Sequence, residues 1–197
     1  EEYSALDDDK KSFFLKEAAH SGVEYSGGSE EVRATLQCIK TIREIQLLNG
    51  EKGCNRYIIS NCGSETDLLE LLFLFECAGW NRDEVTVDFI PLFETIKDLE
   101  SAALIMRRLY ANPVYSGHLK RRGNRQTVML GFSDGTKDGG YFTANWSIYK
   151  AKEDLTAVSA EAGIELTFFD GRGGPAARGG GKTHNYYPAH GLSLIHI

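Results

Sequence analysis

The sequence predicts an α/β protein in which four parallel strands alternate with helices as part of a TIM-type (β/α) barrel. Strand-like and helix-like runs alternate four times along the chain, which is the order of parallel strands joined by crossover helices. A barrel and an open doubly wound sheet both have this order. Polar or charged residues follow each predicted strand, and barrel enzymes gather such residues at one mouth, so the barrel is favoured. Because four strands are half a barrel, we expect a fragment of a larger protein.

Hydrophobic period and turn chemistry place the individual elements. Apolar residues recur at three- and four-residue steps from Glu30, and Asn49-Gly50 ends this helix as a C-terminal cap does. Capping boxes at 64–67 and 95–98 begin the helices after the first two strands, and Pro91 is expected to limit the second strand near its end. The predicted strands are 56–60, 85–93, 127–132 and 166–169, and the predicted helices are 13–20, 30–49, 68–78, 96–110 and 138–162. The residues expected to face the core from the second and last helices are Val32, Leu36, Ile39, Ile42, Ile45 and Leu48, and Trp146, Tyr149, Leu155 and Val158.

The composition limits the class of protein. A chain of 197 residues with 42% hydrophobic residues can bury the core of one ordinary domain. The net charge of −6 argues against nucleic-acid binding, and no apolar run approaches the length of a membrane span. The four Cys lack the paired spacing of zinc or redox sites, so we expect free thiols in the cytoplasm. Cys62 is expected to be a buried structural thiol, and the single His residues, including His118, are expected to be structural or on the surface.

Three regions are expected along the chain. Residues 1–56 form a helical segment that flanks the barrel, and residues 57–191 form the partial barrel that carries the functional motifs. The final hexapeptide, 192–197, is an apolar run that can be back-translated into a common sequencing adapter. Our hypothesis is that this hexapeptide is translated adapter sequence and not part of the protein. Genomic sequence that encodes the hexapeptide would contradict this hypothesis.

The strongest functional signal is a Gly-rich stretch, 168–184, directly after the fourth predicted strand. It contains six Gly, among them Gly173 and Gly174, and two Arg at Arg172 and Arg178. Gly loses more backbone freedom on folding than other residues, so a run of this kind implies a function. Backbone N–H groups and guanidinium groups together bind phosphate or carboxylate oxygens. A flexible linker is the alternative, but two Arg placed directly after a strand favour an anion-binding loop.

Two carboxylates and a Lys follow the second and third predicted strands. These residues are Glu94, Asp134 and Lys137. Carboxylates without neighbouring His or Cys suit a hard cation such as Mg²⁺, which takes one or two of them together with phosphate oxygens. Taken singly, Glu94 could offset a helix dipole, Asp134 could be a turn residue and Lys137 a solvated side chain. Their shared position at strand ends favours a metal site.

Three motifs together resemble the phosphoenolpyruvate carboxylase family. They are PLFET at 91–95, VMLGFSDGTKDGG at 128–140 and ELTFFDGRGGPAARGGGKTH at 165–184, in this order and spacing. The likeness runs from about Tyr57 to His184 and is weaker upstream. It implies a largely helical, cytoplasmic homotetramer built around an eight-stranded barrel. It also implies that phosphoenolpyruvate and bicarbonate are converted to oxaloacetate and phosphate with Mg²⁺ or Mn²⁺.

The resemblance implies roles for individual residues. The family's metal ligands fall on Glu94 and Asp134. The catalytic residues would be Lys137, Arg172 and Arg178, and the substrate-binding residues Arg172, Arg178, Gly173, Gly174 and Asp170.

Asp170 departs from the family pattern, because many members carry His at this position. A carboxylate there would repel bicarbonate unless a cation pairs with it, and Arg172 is one candidate. The family's catalytic His and its C-terminal region are absent from this sequence, so we expect this piece alone to be inactive.

Two other functions remain open on the sequence. The first is another barrel enzyme that acts on phosphoenolpyruvate or a related oxoacid, and bicarbonate-dependent phosphate release separates it from a carboxylase. The second is a non-catalytic descendant that binds a regulator, which replacement of the upstream catalytic His would favour.

Overall fold

The computed structural model describes residues 2–18 and 28–171, and this part of the chain alternates strands and helices as predicted. The strands are β1 (Arg56–Ile59), β2 (Asp88–Phe93), β3 (Arg125–Gly131) and β4 (Glu165–Gly171). The helices are α1 (Asp8–Ala18), α2 (Glu30–Asn49), α3 (Glu65–Cys77), α4 (Ile96–Ala111), α5 (Pro113–Arg121) and α6 (Ser133–Glu161). The predicted 192–197 tail lies outside the described residues.

The four strands form one parallel sheet in the order β1-β2-β3-β4. A doubly wound sheet reverses its strand order at a switch point, whereas the strands of a barrel follow one another around the axis. The order therefore fits a partial (β/α) barrel, as the sequence predicts.

The two faces of the sheet have different surroundings. Phe89, Val128 and Leu166 point to one face and belong to the core that the helices cover. Ile58 and Phe169 point to the other face, and they remain 42% and 48% exposed. The second face is the one that lines the interior of a closed barrel.

Side chains complete the contact between β2 and β3. The two strands pair only at Leu92 with Met129 and at Phe93 with Leu130, after Pro91, which has no N–H to donate. Nearer the start of β2, Nε2 of the buried Gln126 donates to the Phe89 carbonyl at 2.9 Å. Oε1 of Gln126 accepts from the Tyr115 hydroxyl at 2.8 Å. β2 ends at Phe93 as predicted, although it begins at Asp88 rather than Val85, and it lies in the middle of the sheet despite Pro91.

Several helix predictions need correction. The sequence places no helix after Asn112-Pro113, but the Asn112 side chain accepts from Val114 N at 3.0 Å and Pro113 opens α5, where a missing N–H is harmless. α6 begins at Ser133 rather than 138, with a break at Gly140, whose φ is 79°.

Both predicted core stripes are partly wrong. Leu48, near the end of α2, is 83% exposed, and Val32, near its start, is also exposed. Trp146 of α6 is 56% exposed, because Ala144 and Ile148 occupy the buried face of this part of the helix. Leu155 and Val158, further along α6, are buried as predicted.

We expect Gln126→Leu to lower the free energy of unfolding by roughly 1–3 kcal/mol, since the buried Phe89 carbonyl loses a donor and Tyr115 loses an acceptor. Thermal unfolding of the complete parent protein measures the change as a lower midpoint. Gln37→Leu is the matched control, because Gln37 is exposed on α2. Equal midpoints for the two variants would contradict this role of Gln126.

His118 should make stability depend on pH. Its ring is 1% exposed and stacks on Phe89 with centroids 4.9 Å apart. Burial, then the charges of Arg121 and Arg122, lower the pKa of His118 from 6.5 to about 4. The neutral ring thus contributes stability that is present above pH 6.5 and lost as the pH falls towards 4.

Full protonation of His118 is expected to lower the free energy of unfolding by roughly 3 kcal/mol. Urea unfolding of the complete parent at pH 7 and near pH 4.5 measures it. His118→Phe keeps an aromatic ring and removes the titration, so its stability should fall less over this interval than that of the wild type. Parallel losses in the two proteins would show that His118 is not responsible.

Candidate active site

Glu94 follows β2 directly and precedes the N-terminus of α4. A capping box begins this helix: Thr95 Oγ1 accepts from Asp98 N at 3.1 Å, and Asp98 Oδ2 accepts from Thr95 N at 2.9 Å. Thr95 and Asp98 therefore cap the helix and the half-buried Glu94 does not. Within residues 2–18 and 28–171, no hydrogen bond or ion pair engages the Glu94 carboxylate.

Asp134 and Lys137 lie in the first turns of α6, directly after β3. Lys137 Nζ contacts Asp134 Oδ1 at 2.7 Å, and the two side chains are 76% and 47% exposed, respectively. Ion pairs exposed to this extent are weak, because water competes for both partners. A cation that bound Asp134 could therefore displace the Lys137 ammonium at little cost.

Two Gly residues bring these strand ends together. A Cβ at Gly131, the last residue of β3, would lie 3.1 Å from Glu94 Cα and 3.2 Å from Glu94 Cγ. A Cβ at Gly135, next to Asp134, would lie 3.4 Å from the Glu94 carbonyl oxygen. The backbones around Glu94 and Asp134 are therefore neighbours at the same edge of the sheet.

Asp170 lies near the end of β4 and pairs with a residue that the sequence analysis did not single out. Lys152 Nζ of α6 lies 2.9 Å from Asp170 Oδ1 and 3.0 Å from Asp170 Oδ2. The Lys152 side chain is only 7% exposed. The sequence offered one signal for this pair, a charged residue in the apolar stripe between Ile148 and Leu155.

The remaining predicted site residues lie outside the described part of the chain. They are Arg172, Gly173, Gly174 and Arg178. The chain reaches them from Gly171, which is in register with Gly131.

The buried Cys62 thiol, close after β1, is unsuited to nucleophilic chemistry. Burial, followed by the charges of Asp67 and Asp98, raises the pKa of Cys62 to about 12. Its Sγ donates a weak hydrogen bond to the Ser64 carbonyl at 3.8 Å. The thiol stays protonated at neutral pH, which agrees with its predicted structural role.

The described residues place two carboxylates and an ammonium near one edge of the sheet. No group of three or more His, Cys, Asp or Glu side chains gathers as a metal site within residues 2–18 and 28–171. Mg²⁺ needs only one or two protein carboxylates when phosphate oxygens and water complete its shell, so Glu94 and Asp134 fit such an ion. Acidic and basic side chains at the carboxyl ends of parallel strands are the arrangement typical of α/β-barrel enzymes.

The comparisons with known proteins identify the family. The family profile named "Phosphoenolpyruvate carboxylase" matches residues 1–189, so the chain belongs to the phosphoenolpyruvate carboxylase family. The chain is 40% identical over 168 residues to the phosphoenolpyruvate carboxylase of Rhodothermus marinus and 39% identical over 193 residues to that of Chromobacterium violaceum. These matches cover 79% and 93% of this chain but 18% and 22% of the relatives, so the chain spans about a fifth of their length. The resemblance carried by the three motifs is confirmed.

Gly131→Ala should displace Glu94, because the added methyl would meet both its Cα and its Cγ. If Glu94 binds a divalent ion, this shift should weaken Mn²⁺ binding by the complete parent about tenfold. Mn²⁺ titration followed by electron paramagnetic resonance measures the affinity. Gly117→Ala is the matched control, since its Cβ would meet only the Arg121 guanidinium at 3.5 Å. Wild-type affinity in Gly131→Ala would contradict the assignment of Glu94.

Proposed function

We propose that this chain is part of a phosphoenolpyruvate carboxylase, which carboxylates phosphoenolpyruvate with bicarbonate to give oxaloacetate and phosphate. The observation that carries the proposal is the family match over residues 1–189, together with acids at both metal-ligand positions of the family motifs. The shared sheet edge of Glu94 and Asp134 supports it, since the reaction needs both groups in one site.

Glu94 and Asp134 would hold Mg²⁺ or Mn²⁺. The free Glu94 carboxylate and the weak, exposed partner of Asp134 support this role within the described residues, because neither acid is committed to the fold. The ion, when bound, stabilises the negative charge that develops on the substrate oxygens. Lys137, released from Asp134, would supply a positive charge to the same anions.

The basic residues beyond β4 would bind the reacting anions. A bicarbonate oxygen attacks phosphorus, the bond from phosphorus to the enol oxygen breaks, and carboxyphosphate and the enolate of pyruvate form. Arg172 and Arg178, with the N–H groups of Gly173 and Gly174, would hold carboxyphosphate while it releases CO₂ and phosphate. The enolate carbon then attacks CO₂, and water must be excluded, because a proton captured by this carbon gives pyruvate.

The complete parent protein is proposed to be a cytoplasmic homotetramer that contributes to anaplerotic carbon fixation. Among the described residues, no helix is long and apolar enough to cross a membrane. We expect the present chain to be inactive alone, since the family's catalytic His lies outside it.

Asp134→Asn should reduce bicarbonate-dependent phosphate release by the complete parent roughly a hundredfold, because the site loses an anionic metal ligand. Arg172→Ala should cause a loss of similar size, because it removes a guanidinium that would hold carboxyphosphate. A coupled assay of oxaloacetate and phosphate measures both products. Asp138→Asn, the same change at an exposed position of α6, is the control.

The outcomes separate the proposed function from its alternatives. Wild-type rates in Asp134→Asn and Arg172→Ala would contradict the site assignments. Phosphate release by the wild-type parent without any need for bicarbonate would instead indicate a different enzyme that uses phosphoenolpyruvate. No turnover of phosphoenolpyruvate by the wild-type parent would favour a non-catalytic descendant.

A further inference from the structure

The pair of Lys152 and Asp170 is the most deeply buried ion pair near the candidate site. The Lys152 side chain is 7% exposed and that of Asp170 is 26% exposed. Lys152 Nζ also lies 5.6 Å from the centre of the Phe168 ring, so the ammonium contacts two residues on one face of β4. A buried ammonium is costly unless it is paired, and within the described residues Asp170 is the carboxylate that pairs with it.

Asp170 lies at the edge of the sheet where the proposed substrates would bind. It is in register with Leu130, and the next residue, Gly171, is in register with Gly131, which abuts Glu94. Neighbouring strands lie about 4.8 Å apart, so two strand spacings place the Asp170 backbone about 10 Å from that of Glu94. This separation is slightly longer than the Debye length of about 8 Å at physiological salt, but a partly buried charge is screened less than an exposed one. The Asp170 carboxylate, which is 26% exposed, would therefore still act on an anion in the site.

The direction of the Asp170 side chain follows from its partner. Leu166, Phe168 and Asp170 alternate with Thr167 and Phe169, so they share the face of β4 that packs against α6. Asp170 Oδ2 accepts a hydrogen bond from Lys152, and Oδ1 makes only the ion-pair contact. The carboxylate is thus turned towards the helix layer.

We infer that Lys152 is a positioning residue, which holds the Asp170 carboxylate against α6 and cancels its charge at the end of β4. This inference rests on the proposed function, because it concerns the anionic substrates bicarbonate and phosphoenolpyruvate. The pairing removes the repulsion that the Asp170 carboxylate would exert on an anion. Lys152 of α6 supplies the cation, whereas Arg172 was the candidate expected from the sequence.

The test is steady-state kinetics of the complete parent with Lys152→Met, which keeps much of the side-chain volume and removes the charge. The uncompensated Asp170 carboxylate should raise KM for bicarbonate about three- to tenfold, with a smaller change in kcat. The increase should shrink as salt is added. Lys152→Arg keeps the positive charge beside Asp170 and should keep KM within about twofold of the wild type. Lys150→Met is the control, since Lys150 is two residues away and pairs with the exposed Glu153.

Kinetics and unfolding of these variants distinguish an electrostatic role of Lys152 from a packing role. A purely structural role would lower the unfolding midpoint of Lys152→Met and leave the KM for bicarbonate unchanged, and that result would overturn the inference. A KM raised as much in Lys152→Arg as in Lys152→Met would overturn it as well. If Lys152→Met does not fold, Lys152→Gln removes the same charge while its amide still donates to Asp170. An inactive wild-type parent would refute the proposed function itself, which distinguishes the two failures.

Discussion

The approach of β2 to β3 is the constraint on which the site depends. Only two register pairs join these strands directly. The Gln126 side chain ties them together nearer the start of β2, and the absent side chain of Gly131 lets Glu94 come close at the other end. A bulkier residue at Gly131 would push the backbone of Glu94 away from β3. The geometry of the site therefore depends on a small residue and a buried amide as well as on the acids themselves.

Helix capping by Thr95 and Asp98 leaves the Glu94 carboxylate without a capping role. The loops after β1 and β2 both end in capping boxes, and in each box an Asp accepts from the backbone at the N-terminus of the helix. Since Asp98 satisfies the N–H groups of Glu94 and Thr95, the Glu94 carboxylate is left for other partners. Two acids only four positions apart thus have different tasks, one in the fold and one at the edge of the sheet.

Sequence patterns predicted the features that arise from local chemistry. The four strands, both capping boxes and the end of α2 at Gly50 follow from hydrophobic period, side-chain caps and a Gly with φ of 83°. The exposure of Trp146 was missed because a Trp looks like a core residue, whereas Ala144 and Ile148 form the buried face of this part of α6. α5 was missed because Pro113 resembles a stop signal, although it begins a helix. The burial pattern of α6 depends on tertiary packing, which local patterns do not encode. The start of α5, in contrast, was a local signal that was misread, because Asn112 caps the helix and Pro113 occupies its first position.

The partner of Asp170 shows why an acid cannot be assigned from its position alone. At the sequence level Asp170 is an acid beside two Arg, and its charge conflicts with the binding of anions. The fold places it on the face of β4 that meets α6, where Lys152 is buried and needs a counter-ion. The Lys152 ammonium cancels the negative charge of Asp170, and Asp170 supplies the counter-ion that the buried ammonium needs. The exposed pair of Lys137 and Asp134 is different, because water can replace either partner and leave both groups available for chemistry.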